Sequence, residues 1–212
     1  MKTAIYAKYV QDLCKEFVKK QDKVFDCGCG DGSKTKILMQ YSDNVIGGDL
    51  DNRVALEFKI NFRKIMPTQY GDENDFDVVF SFDVIEHIKN DADFLVELMR
   101  ITKPTGVIIV GTPNKNRLSN KVTALINGEI QYPRKLGFHY ESGGDIIHVR
   151  EYTKRDLLDL AEKLNIKNVV IRAGFLGLYT PFGAVGFKGL NQKRFAEYAQ
   201  HLFLIIKKYA KK

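Results

Sequence analysis

The chain has few cysteines, no repeat, and no apolar run approaching the ~20 residues that cross a bilayer. Cys14, Cys27 and Cys29 make an odd count, with two of them inside one glycine-rich stretch. That argues against a disulfide scaffold and for a reduced, cytoplasmic chain. Cys27-x-Cys29 has no second Cys or His pair nearby, so zinc is not expected there. Met1–Val10 lacks the continuous apolar stretch of a secretory signal. The G-x-x-x-x-G-K-[ST] phosphate loop is also missing.

What is present is globular. The 212 residues are 44% hydrophobic and 28% charged, enough for one domain with a sizeable core. Charge is uneven. Residues 1–110 carry 15 Lys and Arg against 18 Asp and Glu, whereas residues 111–212 carry 18 against 8, a surplus of ten positive charges. A basic half attracts an anionic substrate, nucleic acid or a membrane surface, although a solvated lysine-rich face gives the same composition.

The most informative stretch is Val24-Phe25-Asp26-Cys27-Gly28-Cys29-Gly30-Asp31-Gly32. A short apolar run closes on an acid and gives way to glycines at every second position. Glycine adopts backbone angles that other residues avoid, and it lets a ligand lie against the main chain. A strand, a bare loop and a helix start together form a nucleotide cradle.

Strand and helix patterns then alternate. An amphipathic helix spans 4–20, a strand Val24–Cys27, a helix 33–41, a strand Asn44–Asp49 and a helix 52–63. Further strands are expected at Pro67–Tyr70, Phe76–Phe82 and Val107–Gly111, with a helix over 90–102 before the last. Thr153 with Asp156 caps a helix to about 164, and Val169–Ile171 and Leu202–Ile206 are the last two strands. Such alternation gives an α/β, Rossmann-like, doubly wound sheet with helices on both faces. We expect one domain over 1–212, with a cofactor-binding core at 20–111. Two substrate-side insertions, 112–152 and 174–195, are the irregular parts.

The D-x-G-x-G-x-G pattern resembles motif I of the class I S-adenosylmethionine-dependent methyltransferases. Gly48-Asp49-Leu50-Asp51, Phe76-Asp77-Val78-Val79, Phe82-Asp83-Val84-Ile85-Glu86-His87-Ile88, Lys103-Pro104-Thr105-Gly106 and Thr112-Pro113-Asn114 extend the likeness over about residues 20–210. It is closest to the small-molecule branch containing the ubiquinone-biosynthesis O-methyltransferases. Thr105 stands where the family pattern has a second glycine, and the stretch from Asp72 to Phe76 is short. The resemblance implies a mostly parallel seven-stranded sheet whose final strand is reversed. It implies S-adenosyl-L-methionine as cofactor, with Asp26, Cys27, Gly28 and Gly30 around the methionine moiety. Asp49 and Leu50 would then meet the ribose side, Asp72 or Glu73 the adenine, and Phe82 the reacting end. Placed at strand ends, Asp49 can accept from both ribose hydroxyls.

A sulfonium methyl is already activated, so the protein must align the reactants and exclude water, with a general base only for a protonated acceptor. His87 and His148 are the candidates; each has packing as its plainer explanation. His139 lies in the insertion, and His201 is expected to be structural. Glu86 and His87 lack a defined third ligand, so no metal is expected. Tyr6 and Tyr9 can close over the cofactor or simply pack. Phe175, Leu176, Leu178, Tyr179, Phe182 and Phe187 suit an apolar pocket. Arg117, Lys121, Arg134, Lys135 and Arg150 can add recognition of an anionic group, and Lys207–Lys212 is a basic tail. The expected activity is methyl transfer to an O or N of a small molecule. RNA or protein methylation is the rival. The chain shows no appended nucleic-acid module and no Asn/Asp-Pro-Pro-Tyr signature after the fourth strand. A non-catalytic cofactor-binding partner subunit is the alternative from another class.

Overall fold

The computed structural model describes residues 2–66, 68–139, 144–180, 183–186 and 195–208. Pro67, Phe182, Phe187 and the tail from 209 onward, all named above, lie outside the described residues. In chain order the elements are α1 (Lys2–Phe17), β1 (Lys23–Cys27), α2 (Ser33–Leu38), β2 (Asn44–Asp49), β3 (Asn61–Lys64) and β4 (Phe76–Phe82). There follow α3 (Asp91–Ile101), β5 (Thr102–Pro113), α4 (Leu118–Asn127), β6 (Arg134–His139) and β7 (Gly144–His148). The last elements are α5 (Lys154–Lys163), β8 (Val169–Gly174), β9 (Gly177–Thr180), β10 (Gly183–Gly186) and β11 (His201–Lys207).

Seven strands form one sheet in the order β3-β2-β1-β4-β5-β11-β8. Pairs from β3 through β5 are parallel, and β11 runs antiparallel to both β5 and β8. The inner strands are apolar at nearly every position because both faces are covered. Successive side chains point to opposite faces. Phe25, Val79, Ile108, Val110 and Leu204 accordingly join one core with Leu95 and Leu98 of α3 and Leu157 of α5. Val24, Phe80, Ile109, Phe203 and Ile205 join the other with Val10 and Leu13 of α1 and Leu38 of α2. Helices therefore flank both faces, as expected.

The Thr153 cap forms as its spacing predicts: the Asp156 N–H donates to Thr153 Oγ1 at 3.1 Å, and the Thr153 N–H donates to the Asp156 carboxylate at 2.8 Å. The expected helix over 52–63 does not form. That segment makes a single 3-10 turn at Leu56–Phe58 and then enters β3. Its apolar residues Val54, Phe58 and Ile60 are drawn onto the backbone of Gly32 instead, where a Cβ would meet Ile60 Cδ1 at 2.3 Å. The third strand accordingly lies at Asn61–Lys64, not Pro67–Tyr70, where Met66 and Gln69 only make an isolated antiparallel bridge. The two irregular insertions are partly structured: 112–152 holds α4 and the β6–β7 hairpin, and 174–195 holds the β9–β10 hairpin.

The chain leaves β1 toward β2 and β3 on one side, then crosses to β4 on the other side of β1. The crevice at such a reversal, outside the carboxyl ends of the strands, is where open α/β sheets bind ligands.

Candidate functional site

The glycine loop lies at that crevice. Gly28, Gly30 and Gly32 have φ of 79°, 55° and 82°, the left-handed region that favours glycine. At Gly28 an added Cβ would lie 2.3 Å from Val84 Cγ2, so the loop presses on the segment after β4. At Gly30 a Cβ would meet nothing within 4 Å, so the backbone there faces open space. The loop is tied to the end of β2. Gly48 carbonyl accepts from the N–H groups of Gly28 (2.7 Å) and Cys29 (3.1 Å), and Asp49 Oδ2 accepts from Gly30 at 2.8 Å.

Asp49 also accepts from the Leu50 N–H at 2.7 Å and pairs with Arg53 at 3.3 Å. Leu50 is 48% exposed beside it, an apolar surface at the crevice rim. Asp26 is buried, accepts from Thr35 Oγ1 at 2.6 Å, and has its carboxyl pushed up to about 6 by burial. It shapes the loop from beneath. Cys27 packs into the core from β1, and the Phe82 ring packs edge-on against Tyr6 with centroids 6.0 Å apart. For these two only the main chain is at the edge.

Asp72 and Glu73 are not brought to this edge. They precede β4, and their turn is held to the C-terminal end of α3, where the chain enters β5, by Asn74 N–H to Arg100 O (3.0 Å) and Asp75 N–H to Ile101 O (2.8 Å). That is the amino-end edge of a parallel sheet, a strand length away from Asp49. The expected adenine carboxylate is therefore absent from the two residues named for it. The misplacement follows from reading the third strand too late in the chain.

The two candidate histidines do come together. The 3-10 turn Ile85–His87 follows β4, and the end of β7 docks on it through Val149 N–H to Glu86 O at 2.8 Å. The His87 and His148 rings are 4.9 Å apart, edge to face. His87 Nδ1 is 2.7 Å from the Ile147 carbonyl, which only accepts, so Nδ1 carries the hydrogen and Nε2 the lone pair. His148 Nδ1 is 2.8 Å from Glu151 Oε1, and its Nε2 is 3.9 Å from Glu86 Oε1. Burial alone would raise the Glu151 carboxyl, but hydrogen bonds from His148, Arg117 and Asn120 hold it far below the usual range. It is an anion that only accepts, so His148 Nδ1 carries a hydrogen, and the neutral tautomer of this ring is the one with its lone pair on Nε2.

Glu86 is fully buried. Its Oε2 accepts from Thr112 Oγ1 at 2.9 Å, and its Oε1 has no hydrogen-bond partner among the described residues. Burial, then the charge of Asp83, push its carboxyl well above the ordinary value, with Thr112 and Lys34 pulling the other way. Glu86, His87 and His148 each offer one ligand atom within 4.8 Å of the others. The third donor that the sequence did not supply thus arrives from β7, sixty-one residues after His87. Hydrogen bonds to the far nitrogens of both imidazoles are what orient metal-binding histidines.

Other expected residues are engaged elsewhere. Arg117 and Arg150 are bound to Glu151 and Asp91, so neither guanidinium is spare for an anionic substrate. Lys121 is exposed on α4. Arg134 and Lys135 lie on β6. His201 packs 4.5 Å from the Tyr6 ring, with its imidazole pushed down to about 4 by burial. Tyr9 stacks on Phe203 at 6.1 Å, and His139 lies on β6. The sequence reading missed Glu151, Thr112 and Lys34. Glu151 stands three residues after His148, beside the cap of α5, which is the signal that points to it.

The sheet order, the reversed strand beside β5, and a glycine loop answered by an acid at the end of β2 define a Rossmann-like nucleotide-binding domain. Residues 25–110 match the family model described as a methyltransferase domain. Residues 25–110 are thus a methyltransferase domain, and the similarity supports a class I S-adenosylmethionine-dependent methyltransferase with S-adenosyl-L-methionine as cofactor. It is 29% identical over 120 residues to the ubiquinone biosynthesis O-methyltransferase of Pelagibacter ubique, covering 52% of this chain and 49% of that protein. To the same-named enzyme of Roseobacter denitrificans it is 28% identical over 137 residues, covering 60% and 55%. The chain thus spans about half the length of the curated relatives it matches. A SAM-dependent methyltransferase structure from Methanosarcina mazei superposes with a TM-score of 0.62 at 15% identity, over 94% of this chain and 98% of that one. This likeness carries the fold.

The residues present fit the cofactor. Gly30 leaves open space where a side chain would stand, and the Asp49 carboxylate lies 2.8 Å from that residue's N–H. A second carboxylate oxygen, Asp83 Oδ1, is buried without a hydrogen-bond partner among the described residues.

Proposed function

We propose that this protein transfers a methyl group from S-adenosylmethionine to an oxygen or nitrogen of a small-molecule acceptor, with His148 taking the acceptor's proton. The bound cofactor supplies a methyl on a sulfonium, which needs no further activation. The glycine loop carries the amino-acid end, and Asp49 accepts from the ribose hydroxyls with lone pairs not used by Gly30 and Leu50. Leu50 offers an apolar face to the base. His148 turns its Nε2 toward Glu86 Oε1, 3.9 Å away, because Glu151, charged and fixed by Arg117 and Asn120, engages Nδ1. That hydrogen bond is the observation that carries the reading. A general base must lie at the crevice with the right tautomer, and a base oriented by an anion meets that need.

The small-molecule relatives support an O-methylated acceptor, and the aromatic residues of 174–195 support an apolar or aromatic one. The test is calorimetry with S-adenosylmethionine, followed by a methyl-transfer screen of metabolite extracts with wild type and His148→Asn. Cofactor binding with methylation lost only in His148→Asn is the expected result. Absence of cofactor binding would sink the proposal.

A second reading has its own observation, the three donors of Glu86, His87 and His148 within 4.8 Å. A divalent cation held there would acidify a bound hydroxyl as a Lewis acid. Activity that survives exhaustive chelation would remove this reading and leave His148 as the base.

A further inference from the structure

The sheet ends in two unlike edges. β3 is a four-residue strand with Asn61 and Lys64 exposed, and short length and lysine are the usual protection of an edge. β8, at the other edge, has six residues, Val169-Val170-Ile171-Arg172-Ala173-Gly174, paired to β11 without a register shift. It carries no proline, no lysine and no bulge, and among the described residues no strand pairs with its outer side.

The open groups follow from the ladder. Lys207 N–H donates to the Asn168 carbonyl at 3.1 Å, so by alternation Ile205–Val170, Phe203–Arg172 and His201–Gly174 exchange the bonds between β11 and β8. The amides of Val169, Ile171 and Ala173 therefore point away from β11. The side chains of the same three residues are only partly buried against the core. Beside them lies a cleft of about 460 Å³, with Leu158, Ala161 and Glu162 of α5 on one side and Lys167 and Val169 on the other. Val170, on the opposite face of the strand, is 50% exposed.

A row of open amides flanked by apolar side chains is a site for strand addition. Charge along α5 indicates which strand. Helical spacing puts Lys154 and Arg155 one turn before Leu158 on the stripe that lines the cleft, and Glu162 one turn after it, all three charges exposed. A stripe that is basic at one end and acidic at the other is complementary to itself when turned antiparallel. We propose that β8 pairs antiparallel with β8 of a second copy of this chain, continuing the sheet through a two-fold axis at Ile171. Ile171 then exchanges both ladder bonds with Ile171 of the second copy, and Val169 does so with Ala173. Opposite residues share a face in such a pair, so the two α5 helices lie on the same side, with Glu162 directed toward Lys154 and Arg155 of the second copy. On the other face Val170 lies opposite Arg172, whose guanidinium stays paired with Glu16 at 2.6 Å. The contact is independent of the cofactor reading, because β5 and β11 separate β8 from β4.

The test is sedimentation equilibrium of the full chain, with amide exchange followed by NMR. The mass should rise with concentration toward twice 24.2 kDa, and exchange at Val169, Ile171 and Ala173 should slow in step. Ala173→Pro removes an outward donor and spares the bonds to β11, since proline is tolerated where an edge N–H faces solvent. Val170→Lys sets a second cation opposite Arg172, twice in each dimer. Each is expected to weaken the dimer about tenfold or more while the circular dichroism of the monomer is unchanged. Glu162→Lys should weaken it roughly threefold to tenfold, and adding Lys154→Glu with Arg155→Glu to the same chain should restore it. Val170→Lys, at a half-exposed position, decides the matter if Ala173→Pro impairs folding. A chain that stays at 24.2 kDa at its highest soluble concentration overturns the proposal, and so leaves the edge to a strand of another protein. A dimer indifferent to both β8 substitutions, or one in which the three outward amides still exchange freely, overturns it as well.

Discussion

Glu151→Gln is the perturbation on which the arrangement around His148 makes its sharpest demand. The carboxylate is almost fully buried and accepts from Arg117 through both terminal nitrogens, from Asn120 at 2.9 Å and from His148 at 2.8 Å. Glutamine keeps the shape but removes the charge and replaces one acceptor by a donor. Arg117, whose side chain is 14% exposed, then loses its counter-charge. Breaking a buried pair by removing one partner costs about 3–5 kcal/mol, and the retained amide oxygen brings the expectation to the low end, about 3 kcal/mol. In a domain of this size that lowers the melting temperature by roughly 6–12 °C. Urea unfolding should show the midpoint moved at constant m. The tautomer is the second readout. With the amide oxygen kept by Arg117, the amide NH2 faces Nδ1 of His148 and moves the ring proton to Nε2. Ring-nitrogen NMR shifts separate the two forms. A loss below about 1 kcal/mol, or a tautomer that stays with Nδ1 protonated, would refute the reasoning.

Three further outcomes follow from the site. Gly28→Ala puts a Cβ 2.3 Å from Val84 Cγ2 at a φ of 79°, so a melt should show about 2–4 kcal/mol of lost stability together with lost cofactor binding. Asp49→Ala should weaken S-adenosylhomocysteine roughly 10- to 100-fold, while Asp72→Ala and Glu73→Ala leave calorimetric affinity unchanged. Any large effect at the latter two would contradict the edge assignment. Asp26 has its folded pKa raised from 3.8 to about 6, so the folded state holds a proton there that the unfolded chain has already lost. The stability this contributes is full below pH 4 and is lost as pH rises through 6, up to about 3 kcal/mol. Asp26→Asn should flatten that segment of the stability–pH curve; an unchanged slope would disprove it.

Much of the fold was legible because the signals are local. The apolar runs of β4 and β5 have no polar face, which requires cover on both sides, and Thr153 with Asp156 is a cap readable within four residues. The glycine loop is legible for the same reason: its spacing is a backbone requirement. The error over 52–70 arose because Val54, Phe58 and Ile60 serve a tertiary purpose, closing over Gly32, that overrides helical spacing. Displacing the third strand by six residues moved Asp72 and Glu73 to the wrong edge of the sheet.

The site beyond the loop was less legible because its contacts are made by strand order. Lys34 and Asp83 are 49 residues apart, Arg117 and Glu151 are 34 apart, and Glu86 meets Thr112 across 26. The Lys34–Asp83 and Glu86–Thr112 contacts join residues beside the ends of neighbouring strands, and Arg117–Glu151 joins the start of α4 to the segment before α5. β1, β4 and β5 are adjacent, so their carboxyl ends bring Lys34, Asp83, Glu86 and Thr112 into one crevice. The β6–β7 hairpin then returns the chain so that Val149 bonds to Glu86, which puts His148 and Glu151 at the same rim. Parallel strand order thus determines which charges meet, and a change of register in β7 by one residue would turn His148 away from Glu86 while leaving the cofactor cradle untouched. Cofactor binding and acceptor deprotonation are therefore separable in this fold. A variant shortened within 134–148 should keep affinity for S-adenosylhomocysteine while losing methyl transfer, and loss of both together would show that the hairpin also supports the cradle.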